Sequence, residues 1–249
     1  MEASSLNSAE LRPLAIDLFC GLGGWTEGLL AEGFDVIGFD IERHIYGEHR
    51  YPAQLVLQDV LTLHGRQFKD AMLIVASPPC QEYSYMAMPW SKAKAIAAEY
   101  RSGKRDVKKL TALFDACFRI QREACEAAGR HIPLIVENVK GAQKWVGRSR
   151  WNFGSFHLWG DVPALMPMAK SRKNNGGSWF NIGSPGQKVT NRNPVHDGVK
   201  QHKSGRHWFS DNDSISGSTS SHSHARKAAS AQIARIPLPL ARYIARTFK

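Results

Sequence analysis

The chain has 249 residues, 43% hydrophobic and 22% charged, the make-up of one large globular domain or of a domain with a small appendage. It holds no apolar run of 18 residues and begins Met-Glu-Ala-Ser-Ser without a signal-peptide pattern, so the sequence points away from membrane and secretion, toward a cytoplasmic protein. Four cysteines without a C-x-x-C pair argue against zinc and against a disulfide framework. The net charge of +11 is unevenly spread: residues 1–140 carry 16 Lys and Arg against 18 Asp and Glu, residues 141–249 carry 17 against 4. A basic half of this kind suits a polyanion, because cations placed on phosphates release condensed counterions. A merely solvated basic surface fits the charge equally well.

In chain order, Leu14–Phe19 reads as a first strand, followed at once by Gly21, Gly23 and Gly24. A helix over Trp25–Ala31 is stopped by Gly33, and Val36–Asp40 is a second strand. Met72–Ala76 and Leu134–Glu137 are rich in branched apolar residues, as buried parallel strands are, with a helix over Val107–Ala128 between them. Such alternation predicts a doubly wound α/β sheet with ligands at the carboxyl ends of its strands. From about Arg150 the texture becomes loop-rich, and helical spacing returns over Pro237–Phe248. The expected division is 1–150 for the catalytic and cofactor-binding domain, 151–225 for a small recognition region and 226–249 for a returning C-terminal helix.

The turn Asp17-Leu-Phe-Cys-Gly-Leu-Gly-Gly lets a ligand approach the backbone and a helix N-terminus, although many such turns serve only a tight connection. Asp40, closing the next strand, is placed to accept ribose hydroxyls or to cap a helix over Glu42–Arg50. Cys80, in Ser77-Pro-Pro-Cys-Gln81, leaves a buried strand on a proline-stiffened loop, where a thiol is exposed to ligand; Cys117 and Cys125 fall within a helix and read as inert. Glu137-Asn138-Val139 ends another buried strand on the same edge, where apolar surroundings raise a carboxyl pKa and keep a proton available.

The ordered set Asp17-Leu-Phe-x-Gly-x-Gly-Gly, Pro79-Cys80-Gln81 and Glu137-Asn138-Val139 resembles the signature of the DNA (cytosine-5)-methyltransferase family, over about residues 14–140 and again at Pro239–Ala245. The run Gly154–Gly160 is similar to short phage-type members. The resemblance implies a Rossmann-like, S-adenosylmethionine-dependent fold. It implies Cys80 as the nucleophile on cytosine carbon 6, Glu137 on ring nitrogen 3, and Asn138, Gln81 and Arg150 in support. The cofactor, leaving as S-adenosylhomocysteine, would lie among Asp17, Phe19, Gly21, Gly23, Gly24, Asp40, Ile41, Asp59 and Pro79. Double-stranded DNA is the implied partner, with the target base flipped from the stack, no metal, and a monomer as the default. Residues 151–225 would read the sequence, while Glu82–Lys109, with Tyr83, Tyr85, Met86, Met88, Trp90 and the basic Lys104, Arg105, Lys108 and Lys109, would close on the duplex as a loop. The histidines of the recognition region (His196, His202, His207, His222, His224) read as surface or phosphate contacts.

Two family features depart. Ile233-Ala234-Arg235 stands near where the family has a Gly-Asn pair, and Arg148-Ser-Arg150 is the nearest match to a Gln-x-Arg-x-Arg segment. Three other readings stay open. One is an exocyclic-amine methyltransferase, against which Cys80 stands where an aromatic residue is expected. The others are an RNA methyltransferase of the transfer-RNA type and a catalytically silent DNA-binding relative.

Overall fold

The computed structural model describes residues 11–80, 83, 90–154, 156–166, 227, 231 and 234–249. Its strands are β1 (Leu14–Leu18), β2 (Asp35–Asp40), β3 (Ile45–Tyr46), β4 (His49–Arg50), β5 (Gln54–Leu57), β6 (Leu73–Ala76), β7 (Leu134–Asn138), β8 (Trp151–Phe153) and β9 (Phe156–Gly160). The helices are α1 (Gly24–Ala31), α2 (Trp90–Arg101), α3 (Val107–Ala128), α4 (Gln143–Val146) and α5 (Leu238–Thr247).

Seven strands form one sheet in the order β5-β2-β1-β6-β7-β9-β8. The first five are parallel; β9 pairs antiparallel to β7, and β8 antiparallel to β9. Every residue of β6 and β7 is buried, which explains their uninterrupted apolar sequences: each face of a central parallel strand is covered. On one face, Ile16, Leu18, Ile74, Ala76, Leu134 and Val136 pack against Phe114, Cys117 and Ile120 of α3. On the other, Ala15, Val75, Ile135 and Leu158 meet Trp25 and Leu29 of α1 and Leu240 and Ile244 of α5. The doubly wound expectation is met.

α3 follows its sequence signals closely. Asp106 caps it by accepting from the Lys108 N–H (2.8 Å), and Gly129 ends it in the left-handed region (φ 64°). α5 lies against α1 across a contact without spare room: a Cβ on Gly28 would overlap Ala241. Its charges fit as well, with Arg242 and Arg246 both on Glu32 (2.5 and 2.9 Å).

Three expectations need correction. The sheet does not end at Arg150: Trp151–Phe153 and Phe156–Gly160 extend it, because Phe153, Phe156, Leu158 and Trp159 bury their side chains on its two faces. The remainder of the expected recognition region, including His196, His202, His207, His222 and His224, lies outside the described residues save for Gly154 and 161–166. The Glu42–Arg50 segment is not a helix but carries the β3-β4 ribbon, its tight reversal at Gly47 (φ 63°). Nor is Glu82–Lys109 a loop throughout. Tyr83 is buried at 3% exposure with its hydroxyl donating to Leu110 O (2.7 Å), and α2 occupies Trp90–Arg101. Arg105 is bound to Glu99 (2.6 Å) and lies over the Tyr100 ring, so it is committed within the fold. Gln81, Tyr85, Met86 and Met88 lie outside the described residues.

Candidate active site

The strand order reverses direction between β1 and β6, so the turns leaving these two strands diverge and open a crevice at the carboxyl edge of the sheet. A cavity of about 580 Å³ lies there. Its walls come from the glycine turn after β1, the exit of β2, the Asp59–Leu61 turn, Ser77 and Pro79 after β6, and Ala231, Ala234, Arg235 and Ile236 ahead of α5.

The glycine turn is held in conformations that ordinary residues resist. Phe19 has φ 58°, in the left-handed region, where a side chain is strained; Gly21 (φ 50°) and Gly23 (φ 78°) accept it without cost. The Gly21 N–H donates to Asp40 Oδ2 (2.9 Å), locking the turn to the end of β2. The other oxygen of Asp40 accepts from the Glu42 N–H (3.3 Å) and faces His44 (3.6 Å), and these partners hold its carboxyl below the usual range despite burial. Asp40 therefore stays ionised at the mouth of the cavity and does not cap a helix. Asp59 spends one oxygen on the Leu61 N–H (2.9 Å). Ile41 is 73% exposed on the cavity wall, an aliphatic surface open to a flat apolar ligand.

Of the nine residues expected around a cofactor, eight line this cavity: Asp17, Phe19, Gly21, Gly24, Asp40, Ile41, Asp59 and Pro79. Gly23 does not. It faces Pro52, whose ring leaves no space for a Cβ, so its task is to start α1 close beneath the β3-β4 ribbon. Sequence reasoning missed Trp25, His44, Arg235 and Ile236. Arg235 is salt-bridged to Glu27, and Ile236 passes so near Gly24 that a Cβ there would meet its backbone. The glycine pattern at 21, 23, 24 and 28 was the available signal, since two of these glycines serve contact with the C-terminal segment.

Beside the cavity, Cys80 is half-buried on the loop after β6, and Glu137 is buried (9% exposed) near the end of the adjoining strand β7. Burial, followed by the charge of Glu137, pushes the Cys80 thiol up to about 11. The loop that bears Cys80 and the strand that bears Glu137 are neighbours at this edge of the sheet. The side-chain amide of Asn138 donates to Pro78 O (3.0 Å) and its Oδ1 accepts from the Val139 N–H (2.8 Å), which fastens the Cys80 loop to β7. On the neighbouring strand, in register with Asn138, His157 is buried and its Nδ1 meets Ser149 Oγ (2.9 Å). Cys20 and Cys117 are buried, with thiols raised by desolvation, and are inert beside Cys80.

Arg150 does not line this cavity. It is exposed at the entry to β8, its N–H donating to Leu158 O (2.8 Å), and β8 lies two strands, about 9–10 Å, from β7.

Residues 14–145, more than half of the chain, match the family model for C-5 cytosine-specific DNA methylase. The chain belongs to that family. Among proteins of known type it is similar to the type II methylase M.HgiDII of Herpetosiphon aurantiacus, 33% identical over 79 residues that make up 28% of this chain and 22% of that protein. Among solved structures it is similar to S. pombe Dnmt2 methyltransferase (19% identity, TM-score 0.36, 55% of this chain and 37% of that one). It is also similar to the Entamoeba histolytica methyltransferase EhMeth (15%, 0.39, 65% and 57%). The match spans about a fifth of that curated relative's length. The matched region contains the whole parallel part of the sheet and both Cys80 and Glu137.

Proposed function

We propose that this methylase transfers a methyl group from S-adenosylmethionine to carbon 5 of cytosine in DNA, through a covalent bond to Cys80. The observation that carries the proposal is that Cys80, on the loop after β6, and Glu137, near the end of the adjoining strand β7, stand at the same edge of the sheet, beside a cavity lined by Asp17, Asp40 and Phe19.

The cavity suits an adenosine cofactor. Asp40, ionised and fixed by Gly21, is an acceptor for ribose hydroxyls; Ile41 and Phe19 offer apolar surface to the purine; Asp17 presents a buried carboxylate oxygen with no partner. When bound, the cofactor supplies an electrophilic methyl on a sulfonium.

Carbon 5 of cytosine is a weak nucleophile, and the protein's work is to strengthen it. A thiol raised to about 11 is protonated at neutral pH, partly because of the charge on Glu137. Once Glu137 carries a proton that it shares with ring nitrogen 3, that repulsion disappears and the thiolate becomes accessible. Cys80 Sγ, its proton lost to solvent, then bonds to carbon 6 while nitrogen 3 takes the Glu137 proton; the electron pair made available at carbon 5 would displace the methyl from the sulfonium, whose sulfur keeps the bonding pair and leaves as the thioether of S-adenosylhomocysteine. Loss of the carbon 5 proton to solvent base expels Cys80 and restores the ring, with nitrogen 3 returning its proton to Glu137. Asn138 keeps the loop at the distance this exchange needs. A cytosine within a duplex hides both faces, so the base must leave the stack, at a cost of a few kcal/mol. The basic excess after residue 140 supports a polyanionic substrate.

The test is incubation with labelled S-adenosylmethionine and a duplex containing 5-fluorocytosine. A covalent adduct that disappears in Cys80→Ser is expected. Label on adenine or on the cytosine amine without an adduct overturns the chemistry. Label on RNA alone moves the substrate, and no transfer of any kind means a silent binder.

A further inference from the structure

Cys80 stands in a loop whose backbone is fastened on both sides, to different elements on each. On its N-terminal side the Ser77 N–H donates to Leu18 O (3.1 Å), Ser77 Oγ accepts from Trp25 Nε1 of α1 (3.0 Å), and Pro78 O accepts from the Asn138 amide of β7 (3.0 Å). Pro78 and Pro79 stiffen the same stretch. On its C-terminal side the Tyr83 N–H donates to Cys80 O (3.0 Å), which closes a tight turn over Cys80–Tyr83. The side chain of Tyr83 ties that turn to the body of the protein.

Tyr83 is buried in the same apolar cluster as Leu110, Phe114 and Trp159, on the sheet face that α3 covers. A phenylalanine would fill such a place, so packing alone does not ask for a hydroxyl. A buried hydroxyl needs a partner, and this one donates to Leu110 O at 2.7 Å. Leu110 lies one turn into α3, just after Asp106 caps the helix on the Lys108 N–H (2.8 Å), so its carbonyl belongs to a fixed frame. In an α-helix that carbonyl already accepts from the N–H four residues on, and Tyr83 takes its second lone pair. The hydroxyl therefore adds nothing that α3 needs for itself. What it fixes is where the Cys80 turn sits on the helix.

We propose that Tyr83 is a positioning residue for Cys80: its hydroxyl, bonded to Leu110 O, holds the C-terminal side of the turn on α3 as Asn138 holds the N-terminal side on β7. Its part in catalysis rests on the reading of Cys80 as the nucleophile. The two ties fall at Pro78 and Tyr83, so few backbone torsions separate Cys80 from a fixed point on either side. Bond formation to a ring carbon demands reacting atoms about 3–3.5 Å apart, and a misplacement of about 1 Å costs on the order of a hundredfold in rate. Loss of the one hydroxyl loosens only the C-terminal side.

Tyr83→Phe removes the hydroxyl and keeps the ring. The rate of adduct formation at saturating 5-fluorocytosine DNA is expected to fall about tenfold in this variant. The DNA concentration giving half the maximal rate, the S-adenosylhomocysteine affinity and the melting temperature are expected to change little. A hydroxyl that only supported the fold would lower melting temperature and ligand affinity together with the rate, and that result overturns the inference. A second measurement needs no substrate. Alkylation of Cys80 at pH 8, followed by mass spectrometry of its peptide, is expected to run several-fold faster in Tyr83→Phe, because the half-buried thiol is no longer held in place. Equal adduct and alkylation rates in the two proteins overturn the inference while the cytosine chemistry stands. If the wild type forms no adduct, the nucleophile reading falls, and alkylation alone decides the placement: a faster variant supports it and an equal one overturns it.

Discussion

The side-chain amide of Asn138 donates to the carbonyl of Pro78, 3.0 Å away, across two adjacent strand ends. The bond is buried and spans 60 residues of sequence, so it is the tie that fixes the Cys80 loop to the strand bearing Glu137. Asn138→Ala leaves the Pro78 carbonyl buried and unsatisfied, which costs about 1–3 kcal/mol. The expected outcome is a fall in the rate of adduct formation with 5-fluorocytosine DNA of roughly one to two orders of magnitude. S-adenosylhomocysteine affinity, read by calorimetry, should change little.

Cys80 should respond to Glu137 before any substrate is present. Its thiol is raised to about 11 by burial and then by the Glu137 charge. Alkylation of Cys80 in the wild type therefore rises steadily with pH between 8 and 10. Glu137→Gln removes the negative neighbour, lowers the thiol and makes alkylation at pH 8 several-fold faster, as followed by mass spectrometry of the Cys80 peptide. Slower alkylation in this variant would separate the two groups.

Asp17 should burden stability in a defined pH window. Its folded value, about 7, lies above the ordinary 3.8, so the folded state binds the proton more tightly. The stabilisation this gives is complete below about 4 and lost as pH rises toward 7 and beyond. Asp17→Asn is expected to melt higher than the wild type at pH 8 and to show less of this decline, because no buried charge forms. A thermal melt series from pH 4 to 8 measures it.

Gly28 tests whether α5 completes the cavity. A Cβ there overlaps Ala241 and its backbone, so Gly28→Ala forces α1 and α5 apart at a cost of about 1–3 kcal/mol. Because Arg235 and Ile236 enter the cavity wall just before α5, S-adenosylhomocysteine should bind more weakly as the melting temperature falls. Unaltered affinity in a destabilised variant would uncouple helix from cavity.

Much of this was legible in the chain. Leu73–Ala76 and Leu134–Val136 are uninterrupted apolar runs because they are covered on both faces, and a run of that kind at strand length has few other uses. Asp106 and Gly129 bound α3 by local chemistry alone. Strand Phe156–Gly160 does not read as a strand in the sequence, since the glycines that bracket it, Gly154 and Gly160, read as loop and pairing with β7 across intervening chain is not a local property. Arg150 is a related case: its closeness to Glu137 in sequence gives no measure of strand β9, which lies between β7 and β8 in the sheet.

By itself the sequence determined the central strands β1, β2, β6 and β7, helix α3 and the turn at Gly21–Gly24, and it marked Cys80 and Glu137 as candidates at strand ends, because each of these is written in residues close to one another. The tertiary structure alone decided what surrounds them. It brought Tyr51 under Thr26 and Asp17, Asn138 to Pro78, and Arg235 and Ile236 to the cavity wall. These contacts join segments far apart in the chain, where side-chain packing and hydrogen-bond satisfaction choose the partner and no spacing along the sequence records it.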